Sequence, residues 1–282
     1  MNKVVLITGC STGIGRALAE AFRNAGDFIV YASARQIDKL HDLTSRGIHS
    51  LPLDVDDEGS IHAAIERISD EQGRLDVLVN NAGFAAMGPL AELPAARLRG
   101  QFETNVIAPV VLTQACLPLL RQAAKQEGCA RVVNIGSVSG ILTTPFSGAY
   151  CASKAAIHAL SDALRMELAP LGIKVITIQP GAIRSSFGDN SAASIDWLND
   201  DSLYAPVRAG IEARTRASQE NPTPAEEFAE EMIAAVMAKD PEPVTRIGNG
   251  SRMLPAIKRW VPTRRIDRML SKRFRLDSLK SQ

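Results

Sequence analysis

A strand, a glycine-rich turn and a helix follow one another at the start of this chain, and this order restricts the fold more than any other feature. Residues 3–8 form a short apolar run typical of a buried parallel strand. The turn at residues 9–15 reads Gly-Cys-Ser-Thr-Gly-Ile-Gly, and residues 16–22 have helical periodicity. Glycines permit a tight turn, and a helix N-terminus offers free N–H groups to a phosphate. The segment predicts a phosphate-binding loop, with an ordinary strand-to-helix turn as the alternative.

The rest of the chain repeats this alternation of apolar runs and helical segments. Six further strands are predicted at residues 28–33, 48–53, 75–79, 131–136, 174–179 and 244–247. Strands that alternate with helices form a parallel sheet with helices on both faces. We therefore expect an α/β fold, a three-layer doubly wound parallel sheet of about seven strands. A late helix is expected to start at Thr223 and Pro224, as a cap and a first-turn proline, with Glu226 as the capping-box acid.

A phenol and an amine are placed to exchange a proton near the middle of the chain. Tyr150 and Lys154 are four residues apart, so on a helix they share a face. A neighbouring cation lowers the pKa of a tyrosine from about 10 toward the range of a general acid or base. Ser137 ends the strand at 131–136, where its hydroxyl can bond the substrate oxygen that Tyr150 protonates. Taken alone, the Tyr-Lys pair is equally consistent with two exposed polar side chains.

Together these motifs resemble the classical short-chain dehydrogenases/reductases in order and spacing. The matching residues are Thr8-Gly9-x-x-x-Gly13-x-Gly15, Asn80-Asn81-Ala82-Gly83, Asn105, Ser137, Tyr150-x-x-x-Lys154 and Pro180-Gly181. The resemblance covers roughly residues 1–250 and is closest to the branch of 17β-hydroxysteroid-dehydrogenase-like and acyl-dihydroxyacetone-phosphate-reductase-like enzymes. It implies a Rossmann sheet and hydride transfer between a nicotinamide cofactor and a carbonyl or secondary alcohol.

The resemblance assigns a catalytic role to four residues. Ser137 holds the substrate oxygen, Tyr150 is the acid and base, and Lys154 holds the nicotinamide ribose and lowers the Tyr150 pKa. Asn105, expected inside a long helix, positions a water that links Lys154 to solvent. Ser185 stands where the family has threonine, which keeps the hydroxyl and loses a methyl.

The cofactor residues that the resemblance implies lie on turns after strands. They are Gly9, Ser11, Thr12, Gly13, Ile14, Gly15, Arg35, Asp54, Val55, Asn81, Ala82, Gly83, Tyr150, Lys154, Pro180, Gly181, Ile183 and Ser185. NAD enzymes carry an acidic residue after the second strand, whereas this chain has Ala34 and then Arg35. A guanidinium can grip a 2′-phosphate, so we expect NADP(H) rather than NAD(H). The alternative is a solvated Arg35 and dual cofactor use.

The substrate side of the chain is apolar, and this favours a lipophilic substrate. The segments after the strands carry Phe84, Met87, Leu142, Phe146, Phe187, Trp197, Leu198 and Tyr204. Residues 1–250 are expected to form the catalytic domain, with an irregular substrate loop at 186–215. A steroid-, retinoid- or acyl-lipid-like carbonyl or alcohol fits this pocket. A self-packed loop is the alternative, and a catalytically silent cofactor sensor or scaffold is the competing function.

Residues 251–282 are expected to form a basic amphipathic, helical extension. The segment has ten Lys and Arg against Asp267 and Asp277, a net charge of +8, whereas the whole chain has +1. A basic amphipathic segment with tryptophan fits an anionic bilayer surface, which would make the protein a membrane-surface lipid reductase. A cover over the substrate cleft and a subunit contact are the alternatives. No nucleic-acid motif accompanies the charge.

Targeting and metal signals are missing from the sequence. No run of about 18 apolar residues predicts a membrane span, and the first strand follows Met1 too closely for a leader. We expect a cytoplasmic protein, with peripheral membrane contact as the alternative. Four cysteines and four histidines have no metal-site spacing, so no metal is expected, and His158 is assigned to packing or surface. The apolar helices around 97–120 and 150–168 imply, by resemblance, a homodimer or homotetramer; packing on the sheet alone is the alternative.

Overall fold

The computed structural model describes residues 2–187, 191 and 193–281. The expected substrate loop at 186–215 therefore lies partly outside the described residues. Its described part includes a helix that begins at Arg208, so the loop is less irregular than expected.

Seven strands form one sheet in which every neighbouring pair is parallel. The strands are β1 (Lys3–Ile7), β2 (Phe28–Ala34), β3 (His49–Pro52), β4 (Val77–Asn80), β5 (Ala130–Ile135), β6 (Ile173–Pro180) and β7 (Val244–Ile247). Their order is β3-β2-β1-β4-β5-β6-β7. The order reverses between β1 and β4, and in open α/β sheets ligands bind outside the carboxyl ends of the strands at such a point. The predicted doubly wound α/β fold is confirmed.

Helices cover both faces of the sheet. They are α1 (Gly13–Asn24), α2 (His41–Thr44), α3 (Glu58–Gln72), α4 (Ala95–Phe102), α5 (Ala108–Glu127), α6 (Gly148–Leu168), α7 (Arg208–Arg216), α8 (Ala225–Met237), α9 (Met253–Trp260) and α10 (Thr263–Arg273). Phe22 of α1 and Phe228 of α8 are fully buried on one face. Ile68 of α3 and Leu120 of α5 are fully buried on the other face. These clusters produce the three layers.

A turn of π-helix joins α4 to α5. It covers Glu103–Ile107, so the whole helical run extends over Ala95–Glu127. By length and composition this run could cross a membrane, yet 50% of its most apolar window is buried inside the protein. Because Leu112 and Leu120 pack in the core cluster with β1 and β4, we interpret it as a core helix.

A third apolar cluster lies on the substrate side and includes the end of the chain. Leu142, Phe146 and Leu198 are buried there, together with Ile266, Leu270 and Phe274 from the C-terminal extension. A Cβ on Gly210 of α7 would lie 2.0 Å from the carbonyl oxygen of Phe274, so the two backbones are in direct contact. The C-terminal helices thus form an outer wall over the substrate side.

The start of α8 differs from the expectation. Pro224 precedes the helix, and no side chain caps it. The Thr223 hydroxyl accepts the backbone N–H of Asn249 at 3.0 Å instead. The predicted threonine cap is wrong, because the turn directly after β7 uses the Thr223 hydroxyl instead.

Candidate active site

The structure brings Ser137, Tyr150 and Lys154 together at the carboxyl end of β5. Ser137 lies two residues beyond the end of this strand, and its hydroxyl is close enough to the Tyr150 phenol to influence the pKa of that phenol. The same hydroxyl accepts the backbone N–H of Ser139 at 3.1 Å, which fixes its position. Lys154 lies one turn beyond Tyr150 on α6, with Nζ 5.9 Å from the centre of the phenol ring. The predicted neighbours are therefore neighbours in space.

Burial controls the proton affinities of this group. It raises the pKa of Tyr150 to about 12, against the opposing effects of the neighbouring Ser137 hydroxyl and the Arg214 charge. It lowers the pKa of Lys154 to about 8. The expectation that Lys154 lowers the Tyr150 pKa is wrong for this structure. Lys154 Nζ donates to the Ile135 carbonyl at 2.7 Å, and desolvation of the phenol dominates.

Asn105 lies in the π-helical turn rather than in a regular α-helix. Its amide nitrogen donates to the Phe84 carbonyl at 3.0 Å and to the Ser153 hydroxyl at 3.1 Å. Its oxygen accepts the Phe84 N–H at 3.2 Å. These bonds occupy the side chain that the resemblance assigns to a water. In this structure Asn105 ties the segment after β4 to α6, and π-helical turns frequently occur at functional sites.

His158 belongs to this site, and the sequence analysis missed its role. The backbone N–H of Ser137 donates to His158 Nε2 at 3.3 Å. A Cβ added to Gly136 would lie 2.3 Å from the same ring, so the imidazole packs on glycine backbone. Burial lowers the pKa of His158 to about 4. The available signal was the four-residue spacing from Lys154, which places both side chains on one face of α6.

The glycine turn has the geometry of a phosphate cradle. Gly9 and Gly13 have φ of +72° and +60°, a region that favours glycine. A Cβ on Gly15 would lie 2.4 Å from the Gly9 carbonyl oxygen. Among the described residues, no acceptor receives the backbone N–H of Thr12, Gly13 or Ile14. Free N–H groups at the start of α1 fit the pyrophosphate of a dinucleotide.

Two further segments border this cradle. Thr8 Oγ1 accepts the N–H groups of Asn81 and Ala82 at 3.0 and 2.9 Å, which holds the turn after β4 beside the glycine turn. Across the cleft, the Ser186 hydroxyl donates to Thr12 Oγ1 at 2.8 Å. A Cβ on Gly13 would lie 3.0 Å from Ser185 Cβ. The predicted cofactor segments therefore converge on one cleft.

The remaining predicted cofactor residues take distinct places around that cleft. Arg35 follows β2, is exposed, and forms no ion pair among the described residues. Val55 and Ala82 line a small pocket next to Thr8. Asp54 is partly buried and accepts the N–H of Asp56 at 3.2 Å.

The segment after β6 is held by backbone contacts. A Cβ on Gly181 would lie 2.0 Å from the Asn249 carbonyl oxygen, so only glycine fits. Ile183 is buried, and its carbonyl accepts the Gln219 amide at 3.1 Å. Pro180 ends β6. Within the part of the chain that the structure describes, no three His, Cys, Asp or Glu side chains are grouped to hold a metal.

Comparison with known proteins identifies the family of this chain. The family profile described as short chain dehydrogenase matches residues 3–195. The NADPH-dependent 3-dehydrocapnine reductase of Ornithobacterium rhinotracheale is 31% identical, with 96% of each chain covered. Human 17-beta-hydroxysteroid dehydrogenase type 1 is 34% identical, with 90% of this chain and 80% of the relative covered. The second relative belongs to the branch that the motifs indicated.

A solved structure shows the same architecture. The short-chain dehydrogenase from Streptomyces avermitilis superposes with a TM-score of 0.77 at 31% identity, covering 100% of this chain and 98% of that one. The motifs, the fold and the relatives therefore agree. This chain belongs to the short-chain dehydrogenase/reductase family, whose members are oxidoreductases that bind nicotinamide cofactors.

Proposed function

We propose that the protein is an NADP(H)-dependent oxidoreductase that interconverts a carbonyl and a secondary alcohol on a lipophilic substrate. One observation carries this proposal: the Ser137 hydroxyl and the Tyr150 phenol lie side by side at the edge of the sheet that also holds the glycine turn, with Lys154 Nζ 5.9 Å from the centre of the phenol ring. This pair and the neighbouring ammonium of Lys154 supply a proton donor and a hydrogen-bond donor for one substrate oxygen.

The protein residues divide the work of carbonyl reduction. When bound, NADPH supplies the hydride. Tyr150 donates its phenolic proton to the carbonyl oxygen, and Ser137 donates a hydrogen bond to that same oxygen. The phenol is protonated at neutral pH, as an ordinary tyrosine is, and burial raises the pKa of Tyr150 further, to about 12. We assign Lys154 to the ribose hydroxyls of the cofactor, since its ammonium is buried between Tyr150 and β5.

The preference for NADP(H) rests on the end of β2. Arg35 is exposed there and follows Ala34, so no carboxylate at these positions repels a 2′-phosphate. A guanidinium binds phosphate oxygens through paired, charge-assisted hydrogen bonds. The name of the Ornithobacterium relative includes NADPH dependence, which supports the same choice.

The preference for a lipophilic substrate rests on the third apolar cluster. Tyr150 is itself packed against this cluster, and its ring centre lies 5.4 Å from that of Phe187. Phe146, Trp197 and Tyr204 extend the same apolar surface. A ketone that reaches Tyr150 therefore meets aromatic and aliphatic side chains along its path.

Substitution of Tyr150 by phenylalanine tests the proposal. We expect turnover of NADPH with a ketone panel to fall by roughly 10²- to 10⁴-fold, since the general acid is lost. Calorimetry should detect NADPH binding that is nearly unchanged. Tyr204→Phe is the matched control, because Tyr204 lies in the same cluster and has no assigned proton transfer. Wild-type turnover by Tyr150→Phe contradicts the mechanism, and NADPH binding without turnover of any ketone by the wild type favours a silent sensor.

A membrane-surface reductase is the second candidate, favoured by the outer face of α9. Trp260 is 75% exposed and Met253 59% exposed on this helix, beside Lys258 and Arg259. A cytoplasmic protein with this face can bind an anionic bilayer peripherally. Flotation with phosphatidylserine vesicles should be lost in a Trp260→Ser, Arg259→Glu variant; equal flotation of variant and wild type ends this candidate.

Subunit pairing is a further part of the proposal. Leu160 and Met166 on α6 are large apolar side chains that remain exposed, as is Ile107 at the end of the π-helical turn before α5. We propose that these faces pair copies into a homodimer or homotetramer. Analytical ultracentrifugation measures the mass, and a monomer at micromolar concentration contradicts the pairing.

A further inference from the structure

Arg214 is a cation in the wall of the substrate side, close to the phenol. It lies on α7, three residues after Ile211, which is fully buried in the cluster that contains Tyr150. Its Nε donates to Thr144 Oγ1 at 2.6 Å. The charge of Arg214 lowers the pKa of the Tyr150 phenol, and Cys151, next to Tyr150 in sequence, acts on the pKa of Arg214 in turn. Helix α7, the segment 144–151 and the Tyr150 phenol therefore lie close together.

The groups that surround Arg214 do not neutralise it. Among the described residues, no carboxylate lies within ion-pair distance of its guanidinium. Its hydrogen-bond partner Thr144 begins a chain of neutral contacts that runs through Ser147 to Cys151, with Thr144 and Ser147 oxygens 2.8 Å apart and Ser147 Oγ 3.3 Å from Cys151 Sγ. The charge that acts on it from the C-terminal extension is another cation, Arg273.

Arg273 is itself a cation and cannot neutralise Arg214. The carboxylate that pairs with Arg273 is already occupied by that ion pair. The guanidinium of Arg273 pairs with the Glu220 carboxylate at 2.7 Å on the protein surface. Burial lowers the pKa of Arg214, which shows that its environment disfavours the charge. Desolvated charges are costly unless a partner of opposite sign is close. The position therefore favours an anion that arrives with a ligand.

The free part of the guanidinium fits an oxyanion. Arginine has five N–H donors in a planar fork, and the Nε donor of Arg214 is directed to Thr144. Two nitrogen atoms remain for paired hydrogen bonds to carboxylate, sulfonate or phosphate oxygens. Arg214 is partly buried rather than enclosed, so a ligand can reach it.

We propose that Arg214 binds an oxyanion on the substrate, so that the preferred substrates are long-chain ketones that carry a carboxylate, sulfonate or phosphate near the carbonyl. This inference rests on the proposed function, because Tyr150 must act on the same molecule. The proposal predicts that the enzyme prefers an acidic lipid to a neutral sterol or retinoid. Arg214 is then a specificity-determining residue that pairs with the head group while the apolar cluster receives the chain.

Paired ketones test this assignment. The enzyme is assayed with NADPH on a twelve-carbon oxo acid and its methyl ester, and on a keto alkyl phosphate and its parent keto alcohol. We expect the wild type to prefer the charged member of a pair. Arg214→Met should reduce that preference by roughly 10- to 100-fold, chiefly through KM, since charge-assisted bonds are lost. The two pairs also distinguish a carboxylate site from a phosphate site.

Two variants separate recognition from folding. Arg216→Met removes an exposed arginine from the same helix and should keep the wild-type preference. Arg214→Lys keeps the charge without the fork and should restore part of it. An equal loss on charged and neutral ketones by Arg214→Met, together with a lower melting temperature, means that Arg214 only tethers α7 to Thr144 and overturns the inference.

A binding measurement keeps the two proposals distinguishable. Calorimetry with dodecanoate and its methyl ester, in the presence of NADP⁺, does not require turnover. Tighter binding of dodecanoate that depends on Arg214 supports the oxyanion site even if no ketone is reduced, in which case the proposed function alone fails. Turnover of ketones with no preference for charge, and no Arg214-dependent binding of dodecanoate, overturns the oxyanion site alone.

Discussion

His158 accepts the backbone N–H of Ser137 through Nε2, at 3.3 Å, and so fixes the backbone that carries the Ser137 hydroxyl. A protonated imidazole has no lone pair on Nε2 and cannot accept this bond. The ring also lies against the backbone of Gly136 and Gly140, which leaves little room for it to turn. A neutral His158 is therefore part of the folded state.

Acid should destabilise the protein through this histidine. Burial lowers the pKa of His158 from 6.5 to about 4, so between these values the unfolded chain binds a proton that the folded chain does not. Stability therefore falls as the pH drops through this window, by up to about 3 kcal/mol from this group. Urea unfolding at pH 7.5 and 4.5 measures the fall.

Two variants isolate the contribution of His158. His158→Asn should show a smaller loss of stability between the two pH values than the wild type. His62→Asn changes an exposed histidine on α3 and should keep the full loss. An identical pH dependence in His158→Asn and the wild type would contradict the assignment.

Replacement of Arg35 should change the choice of cofactor. We expect Arg35→Gln to weaken NADPH binding by roughly 10- to 100-fold, because a charge-assisted contact to the 2′-phosphate is lost. NADH has no such phosphate, so its affinity should change little. Titration calorimetry with both cofactors gives the ratio. Lys39→Gln is the control, because it removes an exposed cation four residues further along the chain. A wild-type ratio of NADPH to NADH affinity in Arg35→Gln would refute the assignment of the 2′-phosphate contact to this residue.

The glycine turn should tolerate no side chain at Gly15. An added Cβ would lie 2.4 Å from the Gly9 carbonyl oxygen and 2.5 Å from the Asn81 amide. Gly15→Ala should destabilise the fold by roughly 1–3 kcal/mol and abolish NADPH binding, since the cradle must open. Gly26→Ala is the matched control: its φ is +84°, but nothing lies within 4 Å of the new Cβ.

The Gly26→Ala control separates the effect of a strained backbone from the effect of a blocked phosphate-binding turn. Gly26→Ala should lower the free energy of unfolding by roughly 1–2 kcal/mol, because alanine disfavours the left-handed backbone conformation at this position. This variant should bind NADPH normally. Fluorescence titration of NADPH on both variants decides the question. Normal binding by Gly15→Ala would show that the cofactor does not use this turn.

The C-terminal helices should contribute to stability through their inner face. Leu270 is 8% exposed and packs in the substrate-side cluster, whereas its neighbour Met269 is 50% exposed. Leu270→Ala should cost about 2–5 kcal/mol of unfolding free energy. Met269→Ala should stay within about 0.5 kcal/mol of the wild type. Equal effects in denaturant melts would mean that α10 does not dock as described.

The sheet and the glycine turn were predictable because their signals are local. Short apolar runs separated by helical segments lead to one topology, and the predicted β7 matches the observed Val244–Ile247. The glycines at 9, 13 and 15 indicate a turn in which residues with a Cβ would be strained or would clash. Tyr150 and Lys154 share a helix face by spacing alone, and Ser137 reaches them because it ends the adjacent strand.

The features that could not be predicted from the sequence depend on contacts between distant segments. The π-helical turn at Asn105 forms where that side chain bonds the backbone of Phe84. The raised pKa of Tyr150 follows from burial, which outweighs the opposing effects of Ser137 and Arg214. Arg214 meets Thr144 across 70 residues of chain. No spacing rule connects such pairs, because tertiary packing creates them.

The contact between Gly210 and the Phe274 carbonyl joins the substrate-side helix to the end of the chain. Because the two backbones touch, the position of α7 depends on where the end of the chain packs. A change that loosens α10 should therefore also disturb the wall that holds Arg214, so activity should respond to substitutions in the C-terminal helices that lie far from the reacting groups.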